Sequence, residues 1–544
     1  MESSEILYVT LALGAATLST KLLTIGKRDK HLPPGPPTVP VLGNAHLEPA
    51  GYTHFKYAEW ARQYGGIFSL KRFDSTVVVI SDATVLREFM DKRSVETSGR
   101  PHQYLIELMT GGNVILDLDT TSETWRAHRR AMRTLLAPKA VKDFQPIMVA
   151  ESSQLLLDMM QSPKDYAKHV GRYNYSLVLS IGYGKRCLPF WKDGGEEPAL
   201  FRGLKAFSKT VNEAPPLDDL PFLKYVPKPW AAWKEAYKHV KALQSGLYFG
   251  LMEEVERRLA SGDTNGCFFE DVLTKYQAEY QMSREVTAYL SAAILEAGSE
   301  STTATGQTLV MCLTAFPEAL KKCQQEIDNL LPDGRAPTME DINALPYVRA
   351  FVREAFRFRP PSPTGIPHCL TETLQYRGYV IPKGTTLTIN VWGILHDPEA
   401  FDEPDEFRPE RFLLSEHGTK PGVDDGDWRS SIPFGSGKRL CPGMNFALTS
   451  LTHAVALLAW AFDFAPAIDP VTKQPIPVDV NAYEPGLPSA PKPFSPSVTP
   501  RTPEKAHLIK QRYADATLAF AKYETFLNDE ERKALAEERQ ALLD

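Results

Sequence analysis

Between Ser283 and about Ala315 the chain keeps an almost unbroken helical pattern that stops just before Pro317. A run of about 33 residues is about 50 Å long at a rise of 1.5 Å per residue, enough to cross an entire large domain. Any fold for this chain must be built around that rod. Most other segments also carry helical periodicity. The stretch "YGGIFSLKRFDSTVVVISD" reads instead as two short strands joined by Asp74–Ser75, and "QYRGYVIPKGTTLTINVWGI" as a second hairpin-like region. No internal repeat, low-complexity tract or convincing linker intervenes before about Pro500. At 544 residues the chain could hold two domains. The pattern predicts one large domain, mainly α with small β-sheets.

The middle of the long helix is unusual. "LEAGSESTTAT" sets Gly298, Glu300, Ser301, Thr302, Thr303 and Thr305 between nearly apolar flanks. Glycine costs about 0.5–1 kcal/mol relative to alanine inside a helix, and hydroxyl side chains that bond back one turn bend it. A solvent-facing polar stripe is one reading and a functional kink the other.

Composition removes several function classes. Sixty-one Lys and Arg against 67 Asp and Glu leave a net charge of -6, the wrong sign for a nucleic-acid binder by bulk charge. Six scattered cysteines without paired spacing suit neither a disulfide scaffold nor a zinc site, and point to a reducing compartment. At the amino terminus Ile6–Gly26 is apolar or small, about the length of one tilted membrane span. Lys27, Arg28 and Lys30 follow it, so the positive-inside rule keeps the bulk of the chain cytoplasmic. Residues 1–30 are therefore expected to be a membrane anchor with its basic flank, and 31–544 the folded domain. "PPGPP" at Pro33–Pro37 is expected to be a stiff, non-helical spacer.

Charged pairs give weaker signals one at a time. Glu354 and Arg357 share a helical face at i,i+3, and Arg411 lies in the proline-broken "FRPERF". Arg126, Arg129, Arg130 and Arg133 form a basic helical stripe, usually no more than a solvated face. Trp125 precedes Arg129 by four residues, so indole and guanidinium can reach one ligand.

The sharpest feature is "PFGSGKRLCPGMNFA", which puts Cys441 in a glycine-rich loop beside a basic pair and just before a helix. Glycines let a loop backbone pass close to a flat ligand. Pro442 suits the first turn of the following helix, whose N-terminal N–H groups and dipole favour a thiolate. That setting suits a metal-bound sulfur better than a structural cysteine.

Phe434-x-x-Gly437-x-Arg439-x-Cys441-x-Gly443 resembles the haem-binding signature of the cytochrome P450 superfamily. The likeness extends along the chain in the family's order: anchor, proline hinge, W-x-x-x-R, A-G-x-E-[ST], E-x-x-R, P-E-R-F, cysteine loop. Its loops look most like those of membrane-anchored fungal monooxygenases of secondary metabolism. The resemblance implies the cytochrome P450 fold and haem b, with Cys441 as axial metal ligand. It makes Phe434, Arg439 and Gly443 parts of the haem loop, and Trp125, Arg129 and His368 haem contacts. Glu354, Arg357 and Arg411 become a buried ion triad. Glu300 and Ser301 become the proton supply, with Thr302 as a spare hydroxyl, because the family usually has threonine where Ser301 stands.

The activity implied is O2 activation and oxidation of a hydrophobic small molecule. NADPH would act indirectly, through NADPH-cytochrome P450 reductase, since the haem domain uses almost the whole chain. The setting implied is the endoplasmic reticulum membrane. A redox-neutral haem-thiolate isomerase or dehydratase and a non-enzymatic haem sensor are the alternatives. Pocket walls are expected around Tyr104–Ile115, Leu295–Ala297 and Pro363–Ile366.

Overall fold

The computed structural model describes residues 24–189, 197–424 and 426–543. Most of the expected span Ile6–Gly26 lies outside them. Among the described residues, the one helix long and apolar enough to cross a membrane is Met444–Ala461. It is mostly buried in the core. Its apolarity serves packing inside the protein.

The long rod forms as expected and governs the rest. Ser283 caps it, its side chain accepting from the Val286 N–H, and the helix ends at Ala315 before Phe316 and Pro317. Its irregularity is a π turn at Ala292–Glu296, one turn ahead of the expected kink at Gly298–Thr305. The hydroxyls downstream bond back to carbonyls four residues earlier, and the helix stays α through them. Around the rod pack Tyr166–Tyr183, Trp233–Ser261, Pro346–Phe358 and Met444–Ala461. Gly306 marks a close approach, where a Cβ would sit 2.7 Å from Val170 Cγ1.

Eight strands are present among the described residues: β1 Ile67–Arg72, β2 Ser75–Ile80, β3 His368–Cys369, β4 Leu374–Tyr376, β5 Tyr379–Ile381, β6 Thr386–Ile389, β7 Phe462–Pro466 and β8 Pro496–Pro500. β1 and β2 pair antiparallel from Ile67 opposite Ile80 to Arg72 opposite Ser75, so the connecting turn is Phe73–Asp74 and not Asp74–Ser75. The second expected hairpin divides. β4 and β5 pair with each other, while β6 leaves them to run parallel to β2 in a sheet ordered β1-β2-β6-β3. A parallel partner about 300 residues away cannot be read from local alternation.

The proline segment is non-helical, as expected, and it is docked. Ser69 in β1 donates from its N–H to the Pro34 carbonyl at 2.7 Å and from its hydroxyl to Pro33 at 2.5 Å. A Cβ at Gly35 would lie 2.2 Å from the Ser69 oxygen, so only glycine allows this approach. Arg28, one of the basic flanking residues, folds back to donate to the Gly35 carbonyl at 2.8 Å.

The segment after Pro500 is no tail. Helix Pro503–Ala521 lies along Gln145–Gln161 and buries Ile509 and Phe520 completely. It is bolted down by charge. Buried Glu151 binds Arg172 at 2.5 Å and Arg186 at 2.9 Å, and Arg186 reaches Glu524 at 2.8 Å while stacking on Phe520. Removing one member of a buried pair strands the other charge and typically costs about 3–5 kcal/mol. Arg186→Leu is expected to lower unfolding stability by that order in a urea titration. A loss under about 1 kcal/mol would show that Arg172 alone holds Glu151.

Candidate active site

The loop around Cys441 is held by backbone geometry. Gly435 and Gly437 take φ of +85° and +58°, and a Cβ at Gly437 would fall 1.9 Å from the Met90 carbonyl oxygen. The Gly437 N–H donates to Asp91 Oδ1 at 2.9 Å and the Cys441 N–H to the Phe434 carbonyl at 2.9 Å. Phe434 leans on Phe356 with centroids 4.8 Å apart. Gly443 is the N-cap, and the helix starts at Met444, so Pro442 precedes it rather than sitting in its first turn as expected.

Cys441 is half-buried as a residue, while its thiol faces the interior. Burial pushes the thiol up, opposed by the N–H groups of Gly443 and Met444 and by the Arg129 guanidinium. Burial wins in the free chain. A thiolate here needs a further positive charge, which a bound metal provides. The donors are already aimed at sulfur.

Beside this loop the protein concentrates cations. Arg439 donates to the carbonyls of Ser98, Ile115 and Leu118 and lies over the Trp125 ring at 5.4 Å. Arg129 donates to the Leu440 carbonyl at 2.6 Å, and its Nε is buried without a partner. Arg100, which sequence reasoning passed over, donates to Leu116, Ile366 and Pro367. Burial and the neighbouring Arg439 lower Arg100 to about 9. Arg439 falls to about 10, through burial and then Arg129, against the pull of Asp119. Arg439 depresses Arg100 and Arg129 depresses Arg439, and with one unmet N–H the three guanidiniums form a cradle for an anionic group. Haem propionates fit that description.

His368 fits the role of propionate donor poorly. Its Nδ1 donates to the Thr97 carbonyl at 2.9 Å, and burial, Arg100 and Arg439 together push it down to about 3. With the proton on Nδ1 of a neutral ring, Nε2 is an acceptor. Arg100, whose guanidinium is held beside it, is the better donor.

The ion triad is as expected. Arg357 grips Glu354 through two bonds of 2.8 and 2.9 Å, and Arg411 Nε reaches the same carboxylate at 3.1 Å. Further donors reach the carbonyls of Leu395, Pro404, Asp402 and Glu406, so the triad ties helix Pro346–Phe358 to the loop before Arg411. All three residues are buried. The stripe divides by depth: Arg126, Arg130 and Arg133 are exposed, as is Lys438, and Arg129 points inward.

Within the central helix, Thr287–Leu295 and Ala304–Thr314 are buried apart from Gln307. Between them Glu296, Ala297, Gly298, Glu300, Ser301 and Thr303 are accessible. Exposure inside a buried rod marks an internal opening. Ser301 lines it and donates to the Ala297 carbonyl at 2.8 Å. Thr302, the spare hydroxyl, is buried and donates to the Gly298 carbonyl at 2.8 Å. Burial and then the Glu296 carboxyl raise Glu300 to about 7. Of the expected wall Leu295–Ala297, Leu295 is fully buried in the core, and Glu296 puts a carboxyl where apolar side chains were expected.

A thiol supplied with N–H donors, a cationic cradle, a buried E-x-x-R triad and an opened central helix together define a haem-thiolate enzyme. The cytochrome P450 family model matches residues 33–487, and this chain belongs to that family. A cytochrome P450 monooxygenase of Armillaria gallica is 39% identical over 92% of this chain and 96% of its own length. One from Rhodocybe pseudopiperita is 34% identical over 92% and 96%, and one from Aspergillus terreus 33% identical over 95% and 97%. A zebra fish cytochrome P450 solved with abiraterone superposes with a TM-score of 0.66 at 23% identity, covering 82% of this chain and all of its own. The chain is accordingly an oxidoreductase of the monooxygenase class.

Proposed function

We propose that this chain oxidises a hydrophobic small molecule in fungal secondary-metabolite biosynthesis, using electrons that a separate NADPH-cytochrome P450 reductase delivers. The observation that carries the reading is the thiol of Cys441, with its N–H donors and flanking guanidiniums, in a chain whose central helix opens beside an acid and a hydroxyl. Bound haem supplies the O2-activating chemistry. The protein's own residues do the remaining work. Cys441 would hold the metal, and Arg100, Arg129 and Arg439 would neutralise the propionates. Glu300 would carry protons to Ser301. Fungal relatives named as monooxygenases over nearly the whole length support the reaction class.

The same reading puts the domain on the cytoplasmic face of the endoplasmic reticulum membrane, held by residues 1–30. The apolar run Ile6–Gly26 and its basic flank support it. Arg126, Arg130, Arg133 and Lys438 form a positive surface suited to an acidic flavoprotein. With purified reductase, NADPH oxidation is expected to rise on adding a hydrophobic substrate. Arg130→Glu is expected to slow that rate, with substrate affinity and peroxide-driven turnover unchanged. Product formed without NADPH or peroxide would favour the redox-neutral alternative.

A further inference from the structure

Glu296 is the least expected group in the internal opening. It lies in the π turn, at the point where the central helix passes from fully buried to accessible. Its Oε1 accepts from two side chains of helix Trp233–Ser261, the Tyr248 hydroxyl and the Gln244 amide, the latter at 2.9 Å. Tyr248 and Gln244 are themselves buried, so the carboxyl cannot swing away. Its Oε2 makes no hydrogen bond among the described residues, yet it is not sealed from solvent. The Gln244 Oε1, fully buried, is also without a partner. Of these two unused acceptors only the Glu296 Oε2 is open to solvent, on a face it shares with Ala297, Glu300 and Ser301.

We propose that Glu296, fixed by Tyr248 and Gln244, is a specificity-determining residue that binds a hydroxyl group of an otherwise apolar substrate through Oε2. The inference rests on the reading of this opening as the substrate site. A hydroxyl suits the position for a chemical reason: it donates to a carboxylate and accepts from a carboxylic acid. Burial raises Glu296, opposed by the hydrogen bonds from Tyr248 and Gln244, so a partner that serves both protonation states is the best match. An anionic substrate is disfavoured, because Asp117 and Glu300 add carboxyls within electrostatic reach of Glu296. A substrate bearing only ether or ketone oxygens leaves the Glu296 Oε2 without a donor, and that is costly where water is excluded.

The test uses haem-loaded enzyme and matched pairs of fused-ring phenols and their methyl ethers, beginning with 1-naphthol and 1-methoxynaphthalene. Affinity is read by isothermal calorimetry. Wild type is expected to bind the phenol of at least one pair about ten- to a hundredfold more tightly than its ether, the range of one hydrogen bond to a charged group. Glu296→Leu is expected to reduce that ratio to about twofold or less while still binding the ether, which also shows that the site is folded. Glu296→Gln, which keeps an acceptor, is expected to retain part of the preference. The proposal is overturned if the ratio survives in Glu296→Leu, or if wild type prefers no phenol across the panel. Failure of the monooxygenase reading shows separately, as absent NADPH-dependent turnover.

Discussion

Cys441→Ala is expected to abolish the reduced carbon-monoxide band that gives the family its name, and with it all NADPH-dependent turnover. The substitution removes the only sulfur that the N–H groups of Gly443 and Met444 address and leaves Arg129 facing a methyl group. The fold itself should survive. The loop's shape rests on Gly435 and Gly437, on the Cys441 N–H to Phe434, and on the Gly437 N–H to Asp91, none of which involves the side chain. Far-ultraviolet circular dichroism should therefore match wild type while the haem spectrum changes. Cys441→Ser should behave in the same way, because an alcohol is a far weaker anionic ligand than a thiol with aimed donors. A normal band in either variant would place the metal ligand elsewhere. Of the other five cysteines, Cys187, Cys267, Cys312 and Cys323 are buried, and Cys369 is half-buried in a strand.

Legibility in the sequence declines with the distance between cooperating residues. The central helix is legible to within a residue at both ends, since its cap Ser283 and its stop Pro317 are local signals. Glu354 and Arg357 are legible as a pair at i,i+3, and Arg411 enters only through the family pattern, because 57 residues separate it from its carboxylate. Arg100 escapes for the same reason: its partners are carbonyls 266 and 267 residues further on. The network from Glu151 to Glu524 has no local signature at all, since helix Gln145–Gln161 and the segment after Pro500 meet only in the fold. Position 296 misleads in a different way. The wall expected around Leu295–Ala297 takes no account of the π turn, which adds a residue to the repeat and rotates the side chains beyond it. Leu295 thereby faces the core and Glu296 the opening.

The same rotation decides between two adjacent hydroxyls. Ser301 lies on the accessible face with Ala297 and Glu300, whereas Thr302 is turned into the packing, so the proposed relay runs through Ser301. Ser301→Ala is expected to keep NADPH oxidation while diverting most of it to free hydrogen peroxide, measured as peroxide released per NADPH consumed. Thr302→Ala should leave that ratio near wild type and lower thermal stability instead. The acid has its own signature. Glu300 is held at about 7 by burial and by Glu296, so it is protonated below that pH and ionised above it. A group that must hand on a proton gives a rate that falls as pH rises through its pKa. Wild-type turnover at saturating substrate should therefore decline across neutrality. Glu300→Gln should be slower by about tenfold or more, within reach of what positioned proton transfer contributes, and its profile should lose that limb. Should the limb persist in Glu300→Gln, another group sets it, and Asp117, pushed up to about 6 by burial, becomes the next candidate. If Thr302→Ala releases peroxide while Ser301→Ala does not, the relay uses the buried hydroxyl, and the accessible face of this helix serves the substrate alone.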